Sequence, residues 1–551
     1  MKKSLLIVCA FMLLFGSCQQ EAIVESTADI TNEQVLTDPH VCTELCYGDN
    51  ENGDDPLKGA ILKEKKWTNG SVIKVKFLNG TSYLQEKIKT FANEWSRYAN
   101  IKFEYVASSQ NADVKVAFKW NNDSGSWSYV GTDCKKIAQN KPSMNFGWFD
   151  NYTSDTEFSR TIIHEFGHAL GLIHEHQHPT NGINWNKPVV YDYYKTSQGW
   201  SQADVDHNIF RKYSTTETNY SSYDMYSIMH YSIPASHTTD GYSVGWNTVL
   251  SETDKKFIGG QYPISVSGMA VAADYDGDGK MDIAVKTSNG GWYIDYSSNG
   301  FGYWDWSGSG YAIYDIIPVA DYDGDGKADI SIRTSDGRWH IDYASNGFGP
   351  WDVSYPGIAG GDVIPVPADY DGDGKADISV KTAEGGYFGT WYIDYSGNGF
   401  GNWDWSYTGY ALYDIIPVGD YDGDGKADIS IMTSDGFWHI DYASNGFGRW
   451  DVSYPVIAGS NVMPVPADYD GDGKTDISVK TPDGRWYIDY SKNGFGYWDW
   501  SGSGYAISKE IPVGDYDGDG KADLVIKTSD GRWHIDFSSN GFGRWDASYL
   551  F

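Results

Sequence analysis

The heptapeptide Asp-Tyr-Asp-Gly-Asp-Gly-Lys occurs six times, beginning at Asp274, Asp321, Asp369, Asp420, Asp468 and Asp515, at spacings of 47, 48, 51, 48 and 47 residues. A near-constant period of that length commits the 289 residues from 263 to 551 to an array of like units. Each copy runs on into an alternating strand such as Ile330-Ser331-Ile332-Arg333, then a second such as Trp339-His340-Ile341-Asp342-Tyr343, then the turn Asn346-Gly347-Phe348-Gly349. Radial packing buries such sheets and leaves few open edges, so an all-β propeller of six blades is expected. Copies one, three and five resemble one another most, as do two, four and six, which points to duplication of a two-repeat unit.

In D-x-D-G-D-G-x-x-D, carboxylates at positions one, three, five and nine can surround a hard cation, and the glycines allow the tight turn. The candidate calcium ligands are therefore Asp274, Asp276, Asp278 and Asp282 in the first loop and Asp321, Asp323, Asp325 and Asp329 in the second. They continue as Asp369, Asp371, Asp373 and Asp377, then Asp420, Asp422, Asp424 and Asp428. Asp468, Asp470, Asp472 and Asp476, then Asp515, Asp517, Asp519 and Asp523, complete the set, for about six calcium ions. An EF-hand would place Glu at position twelve, where these loops have Val285, Ile332, Val380, Ile431, Val479 and Ile526. The repeats resemble the calcium-loop repeats of integrin-type and VCBS propellers. They supply 24 of the 75 acidic residues behind the formal charge of -33, and nothing in that balance suggests nucleic-acid binding.

The repeats carry no nucleophile or histidine cluster, since His340, His439 and His534 recur singly at one repeat position, as structural residues do. Trp304-Asp305-Trp306, Trp403-Asp404-Trp405 and Trp498-Asp499-Trp500 recur, with Trp351, Trp450 and Trp545 in the alternate copies. These rings suit either stacking on sugar faces beside carboxylates or packing between blades. Either way the repeat half is expected to attach the protein to a glycan, matrix or protein surface, and its removal to leave short-peptide cleavage nearly unchanged.

That cleavage is expected from a second motif upstream. His164-Glu165-Phe166-Gly167-His168-Ala169-Leu170-Gly171-Leu172-Ile173-His174 spells H-E-x-x-H-x-x-G-x-x-H. On a helix, His164 and His168 project from one face and can share one zinc ion. Gly171 can end the helix in a left-handed conformation, so that the chain turns and His174 returns as third ligand. Three protein ligands leave a fourth position for water, which makes the site catalytic, with Glu165 placed to take a proton. Ser154-Asp155-Thr156-Glu157 has the capping-box form, so the helix should start two to three turns before the first histidine. Farther on, Tyr223-Asp224-Met225-Tyr226-Ser227-Ile228-Met229-His230-Tyr231 offers a Met as apolar floor and a Tyr within reach of an oxyanion.

With these residues the sequence resembles the metzincin metallopeptidases and, within them, the astacin family. Met229 matches the Met-turn, while His174-Glu175-His176 and Ser227 to Tyr231 are similar to the family's H-E-H run and S-x-M-H-Y turn. Ser128-Tyr129-Val130-Gly131 and Ser143-Met144-Asn145 are similar to its S-Y-V-G segment and to the edge strand before the zinc helix. The resemblance covers roughly residues 59 to 262. It implies that His164, His168 and His174 bind one zinc ion, that Glu165 is general base and then acid, and that Tyr231 ligates zinc at rest and swings to the tetrahedral intermediate. It also implies that the new N-terminal amine made by cleavage near Lys58 is buried against Glu175. His176, His178 and His230 are read as structural, because the three-histidine site is already complete. Astacins usually hold two disulfides in this domain, whereas here only Cys134 is available.

Met1-Lys2-Lys3, the apolar run from Leu5 to Phe15 and Gly16-Ser17-Cys18 form a signal peptide over residues 1–18, with an ending that resembles the lipobox of bacterial lipoproteins. Cys18 would then bear lipid and be the membrane contact, and the protein is expected outside the cytoplasm, on the cell surface or secreted. Residues 19–58 are polar and acidic and are read as a linker or pro-segment. A thiolate from Cys42 or Cys46 can occupy the open zinc position; Tyr47-Gly48-Asp49, which resembles the aspartate switch of astacin pro-segments, and a plain disulfide are the alternatives.

Residues 59–262 alternate as a small α+β unit, with strand-like runs at Val72–Phe77, Ile101–Tyr105 and Val114–Phe118 and helical spacing at Leu84, Ile88, Phe91 and Trp95. The expected function is an extracellular zinc endopeptidase acting on protein or peptide substrates, with a calcium-binding propeller over 263–551. The rival is a non-catalytic surface adhesin with a zinc-stabilised domain. Glu165 speaks against it, since a structural site has no use for a base.

Overall fold

The computed structural model describes residues 42–45, 61–62, 64–212, 218–311, 318–356, 363–382, 388–411, 417–433, 436–455, 462–505 and 510–550. Cys18, Cys46, Tyr47 to Asp49 and Lys58 to Ala60 lie outside them. Among the described residues, no helix is long and apolar enough to cross a membrane.

The first half contains, in order, β1 (Cys42–Leu45), β2 (Ile61–Leu62), β3 (Val72–Phe77), α1 (Ser82–Ala92), α2 (Trp95–Tyr98), β4 (Lys102–Tyr105), β5 (Val114–Phe118), β6 (Ser126–Tyr129) and β7 (Met144–Phe146). It continues with α3 (Asp155–Leu170), α4 (Lys187–Gln198), α5 (Gln202–Val205), β8 (Thr218–Asn219) and α6 (Glu252–Gln261). One sheet has the order β1-β6-β7-β5-β3-β4, and β2 pairs with β8 apart from it. β6 runs antiparallel to β7, while β3, β4, β5 and β7 are mutually parallel.

The strand from Met144 is therefore internal, and β6 forms the rim of this sheet until β1 covers it. β1 lies parallel to β6, with Cys42 opposite Ser126 and Leu45 opposite Tyr129. A piece of the segment read as linker or pro-segment is thus a sheet strand.

The expected α1 periodicity holds to Ala92, and Trp95 begins a separate turn. Ile73, Val75, Leu84, Ile88, Trp95, Phe158, Ile162 and Phe166 join in one core beneath the sheet. Each such side chain contributes roughly 1.5–3 kcal/mol on burial, so α3 is fixed along its length by apolar contacts rather than by its polar face.

The second half forms six antiparallel sheets among the described residues, one for each repeat. Beside the two strands legible in sequence, each blade has an outer strand such as Val353–Tyr355, and blades one, three and five show an inner one, such as Gly268–Ala270.

One hydrogen bond repeats around the ring. Ala328 N donates to Asp274 O, Ala376 N to Asp321 O, Ala427 N to Asp369 O, Thr475 N to Asp420 O and Ala522 N to Asp468 O, and Met281 N returns to Asp515 O. The last bond joins blade six to blade one, so the array closes as a propeller. Pro318, Pro365, Pro417, Pro464 and Pro512 line its axial cavity. Trp292, Trp391, Trp438, Trp486 and Trp533 are fully buried between neighbouring blades. Such rings dominate core energetics because each buries on the order of 200 Å².

Candidate zinc centre and calcium loops

Ser154 caps α3, its hydroxyl accepting from Glu157 N at 3.2 Å. Glu157 does not return the bond: its carboxylate is held by Arg160, Thr161 and Trp148. Gly171 ends the helix at φ 105°, a conformation that only glycine adopts at low cost. The chain then turns sharply enough for Leu172 O to accept from His168 Nδ1 at 2.9 Å. His164 Nδ1 donates to Ile228 O at 2.8 Å.

A carbonyl can only accept, so both Nδ1 atoms carry the proton and both Nε2 atoms present lone pairs. His168 Nε2 lies 3.1 Å from His164 Nε2 and 3.2 Å from His174 Nε2. Burial holds all three imidazoles in the neutral form, with His168 brought down to about 4 and the other two also lowered. Converging lone pairs repel unless a cation sits among them. Tetrahedral Zn–N bonds of about 2.0–2.1 Å would put neighbouring nitrogens roughly 3.3 Å apart, so the three histidines fit zinc.

Glu165 is fully buried beside the Cys42 thiol. Burial raises its carboxyl well above the usual range, offset in part by Cys42 and the Arg160 charge. Met229 lies against α3, where a Cβ on Gly167 would come within 2.5 Å of its Sδ. The Met-turn is in turn held from α6. Asp254, the capping-box residue of that helix, accepts from Ser227 Oγ and from Ile228 N, each at 2.7 Å.

Sequence reasoning missed Asp254, although Ser251-x-x-Asp254 ahead of a helix carried the signal. Glu175 accepts from Asp224 N at 2.9 Å, and burial raises its carboxyl. His176, His178 and His230 bond to Asn208 O, Ser221 O and Tyr223 Oη, as structural residues do.

The cleft contains β1. Alternation along this strand puts Cys42 and Glu44 on one face, toward the histidines: the Glu44 carboxylate lies 3.7 Å from Nδ1 of His168 and of His174. Burial, then the Glu165 charge, raises the Cys42 thiol. Cys42 and Cys134 are both buried and unbridged. The Tyr231 ring packs tilted against His174 and His176, with centroids 4.3 Å and 4.4 Å away, and its hydroxyl donates to the Cys42 carbonyl. The Tyr231 hydroxyl thus lies in the cleft, bonded to a peptide carbonyl of β1.

In the first Asp-rich loop, Asp274 accepts from Gly277 N and Gly279 N, and Asp278 N donates to Asp276. Asp282 is fully buried and accepts from Tyr275 N and Ser297 N. Donor oxygens of Asp274, Asp276 and Asp282 lie within 4.8 Å of one another, as do those of Asp369, Asp371 and Asp377 and of Asp420, Asp422 and Asp428, while in the second loop the set is Asp321, Asp323 and Asp325. Asp282, Asp329, Asp377, Asp428, Asp476 and Asp523 are pushed up to about 7, chiefly by burial. A cation would relieve that cost.

The loops are not equal. Where Ser298, Ser345, Ser444 and Ser539 donate to the third-position Asp, the fifth repeat has Lys492, whose ammonium rests on Asp470.

A second carboxylate per blade, Asp295 in the first, is buried and accepts from the glycine turn at Gly302 N; its recurrence after each second strand was the missed signal. The tryptophans of the W-D-W segments and their alternates pack among the interblade clusters, which favours packing over sugar stacking. His340, His439 and His534 bond to Ser354, Ser453 and Ser548.

Residues 60–270 match the astacin family, peptidase family M12A, and residues 321–380 match an FG-GAP-like repeat. Protein SpAN of Strongylocentrotus purpuratus is 27% identical over 207 residues, 36% of this chain and 30% of that protein. Blastula protease 10 of Paracentrotus lividus is 27% identical over 188 residues, 33% of this chain and 28% of that protein. The chain thus spans less than a third of the length of these curated relatives. A solved structure of myroilysin shares 55% identity with 38% of this chain and 100% of its own, at a TM-score of 0.37.

Proposed function

We propose that this chain, which belongs to the astacin family through residues 60–270, is a zinc endopeptidase of the cell exterior, made in a latent form and carried by a calcium-binding propeller. The observation that supports this most directly is the convergence of three neutral imidazoles, through their Nε2 atoms, in a buried site that also holds the Glu165 carboxyl. His164, His168 and His174 would hold zinc. Zinc, when bound, supplies the Lewis acid that polarises a carbonyl and lowers the pKa of water.

Glu165 takes the proton of the attacking water and returns it to the leaving amine. Burial raises its proton affinity toward the range such a shuttle needs. Tyr231 donates its hydroxyl to the scissile carbonyl as negative charge develops there. Its bond to the Cys42 carbonyl supports that role, because this is a backbone carbonyl in the same cleft.

The same strand supports latency. β1 fills the edge of β6, and its Cys42 thiol lies beside Glu165, where it can serve as fourth donor to zinc. Cleavage near Lys58 would release the strand and open the cleft. The repeat half would bind about six calcium ions and localise the enzyme on a glycan or protein surface, with lipid on Cys18 as a further anchor. Digestion of casein or gelatin by the trimmed protein, lost on zinc chelation and restored by zinc, is the expected result. A trimmed, zinc-loaded protein that cleaves neither would favour the adhesin reading.

A further inference from the structure

Blade one packs on the peptidase half through the turn 297–304. Tyr303 is 4% exposed, and its hydroxyl donates to the Glu252 carboxylate in the first turn of α6. Its ring meets Tyr98 edge-on at 5.0 Å, with the Lys255 ammonium 5.9 Å above it. Lys256 donates to the Asn299 carbonyl. Gly259 makes the fit possible, since a Cβ there would lie 2.7 Å from the Gly302 carbonyl oxygen.

Each side of this contact leads to a metal-binding group. On the blade side, Ser297 N donates to Asp282 at 2.8 Å, Ser297 Oγ to Asp278 at 3.2 Å, and Ser298 Oγ to Asp276. The docking turn is therefore suspended from three carboxylates of the first loop. On the helix side, Asp254 holds Ile228 N at 2.7 Å, and Ile228 O accepts from His164 Nδ1 at 2.8 Å. Such a bond to the far nitrogen fixes the orientation of a metal-binding imidazole.

We propose that blade one braces the zinc site, and that calcium in its loop tightens the hold of the histidines on zinc. The first loop is then regulatory, whereas the others only stabilise their blades. A cation drawing Asp276, Asp278 and Asp282 together fixes Ser297 and Ser298. Through Asn299 and Tyr303 it fixes the start of α6, and through Asp254 the carbonyl that orients His164. The inference rests on the reading of the loops as calcium sites, and it departs from the expectation that the repeat half can be removed without consequence.

The test uses the full chain loaded with zinc and calcium. It compares Asp278→Asn with the equivalent change in the fourth loop, Asp424→Asn, and reads bound calcium by native mass spectrometry and zinc release to a chromogenic chelator. Each variant should lose one calcium. Only Asp278→Asn should speed zinc release, by about fivefold or more, the low end of measured site-to-site couplings, and Asp278→Glu should restore it. Tyr303→Phe, which keeps the ring and all calcium ligands, should also speed release and raise hydrogen exchange at Ile228 N. Equal zinc release from Asp278→Asn and Asp424→Asn, with one calcium lost from each, would overturn the brace. A wild-type chain that binds no calcium would instead overturn the reading of the loops.

Discussion

Calcium and protons should compete for the repeat half, and the competition should reverse the pH dependence of its stability. The ninth-position carboxylates, Asp282 and its five equivalents, rise from 3.8 to about 7 on folding without a cation. A carboxyl raised in this way keeps its proton in the fold after the unfolded chain has lost it. In chelator, stability is therefore full below about pH 4, falls as pH rises toward 7, and is flat above. At about 1.4 kcal/mol for each pH unit, the limit is roughly 4 kcal/mol per loop. These carboxylates are partly reached by solvent, so screening lowers each contribution below that limit, but six of them are still large beside the ~5–15 kcal/mol that holds a domain together, and the cation-free ring should be clearly less stable at pH 8 than at pH 5.

Calcium needs the charged carboxylates. At 100 times its dissociation constant it adds about 2.7 kcal/mol per loop above pH 7, and that gain fades as protons displace it. Melting should be followed by calorimetry on the full chain between pH 5 and 8, with calcium or with chelator. The repeat transition should fall with rising pH in chelator and hold or rise in calcium, the two separating by tens of degrees at pH 8 and converging near pH 5. The peptidase half is expected to move the other way in zinc-free protein, because its buried histidines have lowered pKa values and lose stability as pH falls below 6.5. Its transition must be assigned separately. A repeat transition with the same midpoint in chelator at pH 5 and pH 8 would refute the argument, as would a calcium shift undiminished at pH 5.

Glu165→Ala should abolish peptide hydrolysis while zinc content by atomic absorption stays near one per chain; near-normal turnover would remove Glu165 from the mechanism. Cys42→Ala should let the untrimmed chain cleave a short fluorogenic peptide at least tenfold faster than the untrimmed wild type. Equal rates would leave β1 as an obstruction without a latch. Lys492 places a tethered charge on Asp470, which should weaken the fifth calcium site by about tenfold or more. Calorimetric titration should show five tight sites and one weak one, merging into six on Lys492→Ser, and six equal sites in the wild type would show that the ammonium simply moves aside.

The legible parts of this protein are those where one residue type answers one geometric demand. His164, His168 and His174 could be assigned because helix pitch and the glycine turn at 171 leave their nitrogens little choice, and the structure brings Nε2 of His168 within 3.2 Å of both partners. The repeat loops could be located because carboxylates and glycines recur at fixed offsets, though the offsets said nothing about whether blade six would meet blade one. That depends on the bond from Met281 N to Asp515 O and on the packing of Val285 against Val525 and Trp533, which are properties of the closed ring.

Asp254 and Glu44 mark the other limit. Each is a single carboxylate in an ordinary local context, one in a helix cap and one in a four-residue strand. Their importance comes from contacts more than 25 residues away in sequence, to Ile228 and to His168 and His174. Asp254 Oδ2 accepts both from Ser251 N of its own helix and from Ile228 N, and its Oδ1 accepts from Ser227 Oγ. Asp254 is buried at this junction, so a helix-start signal in the sequence turned out to be a support of the zinc centre as well.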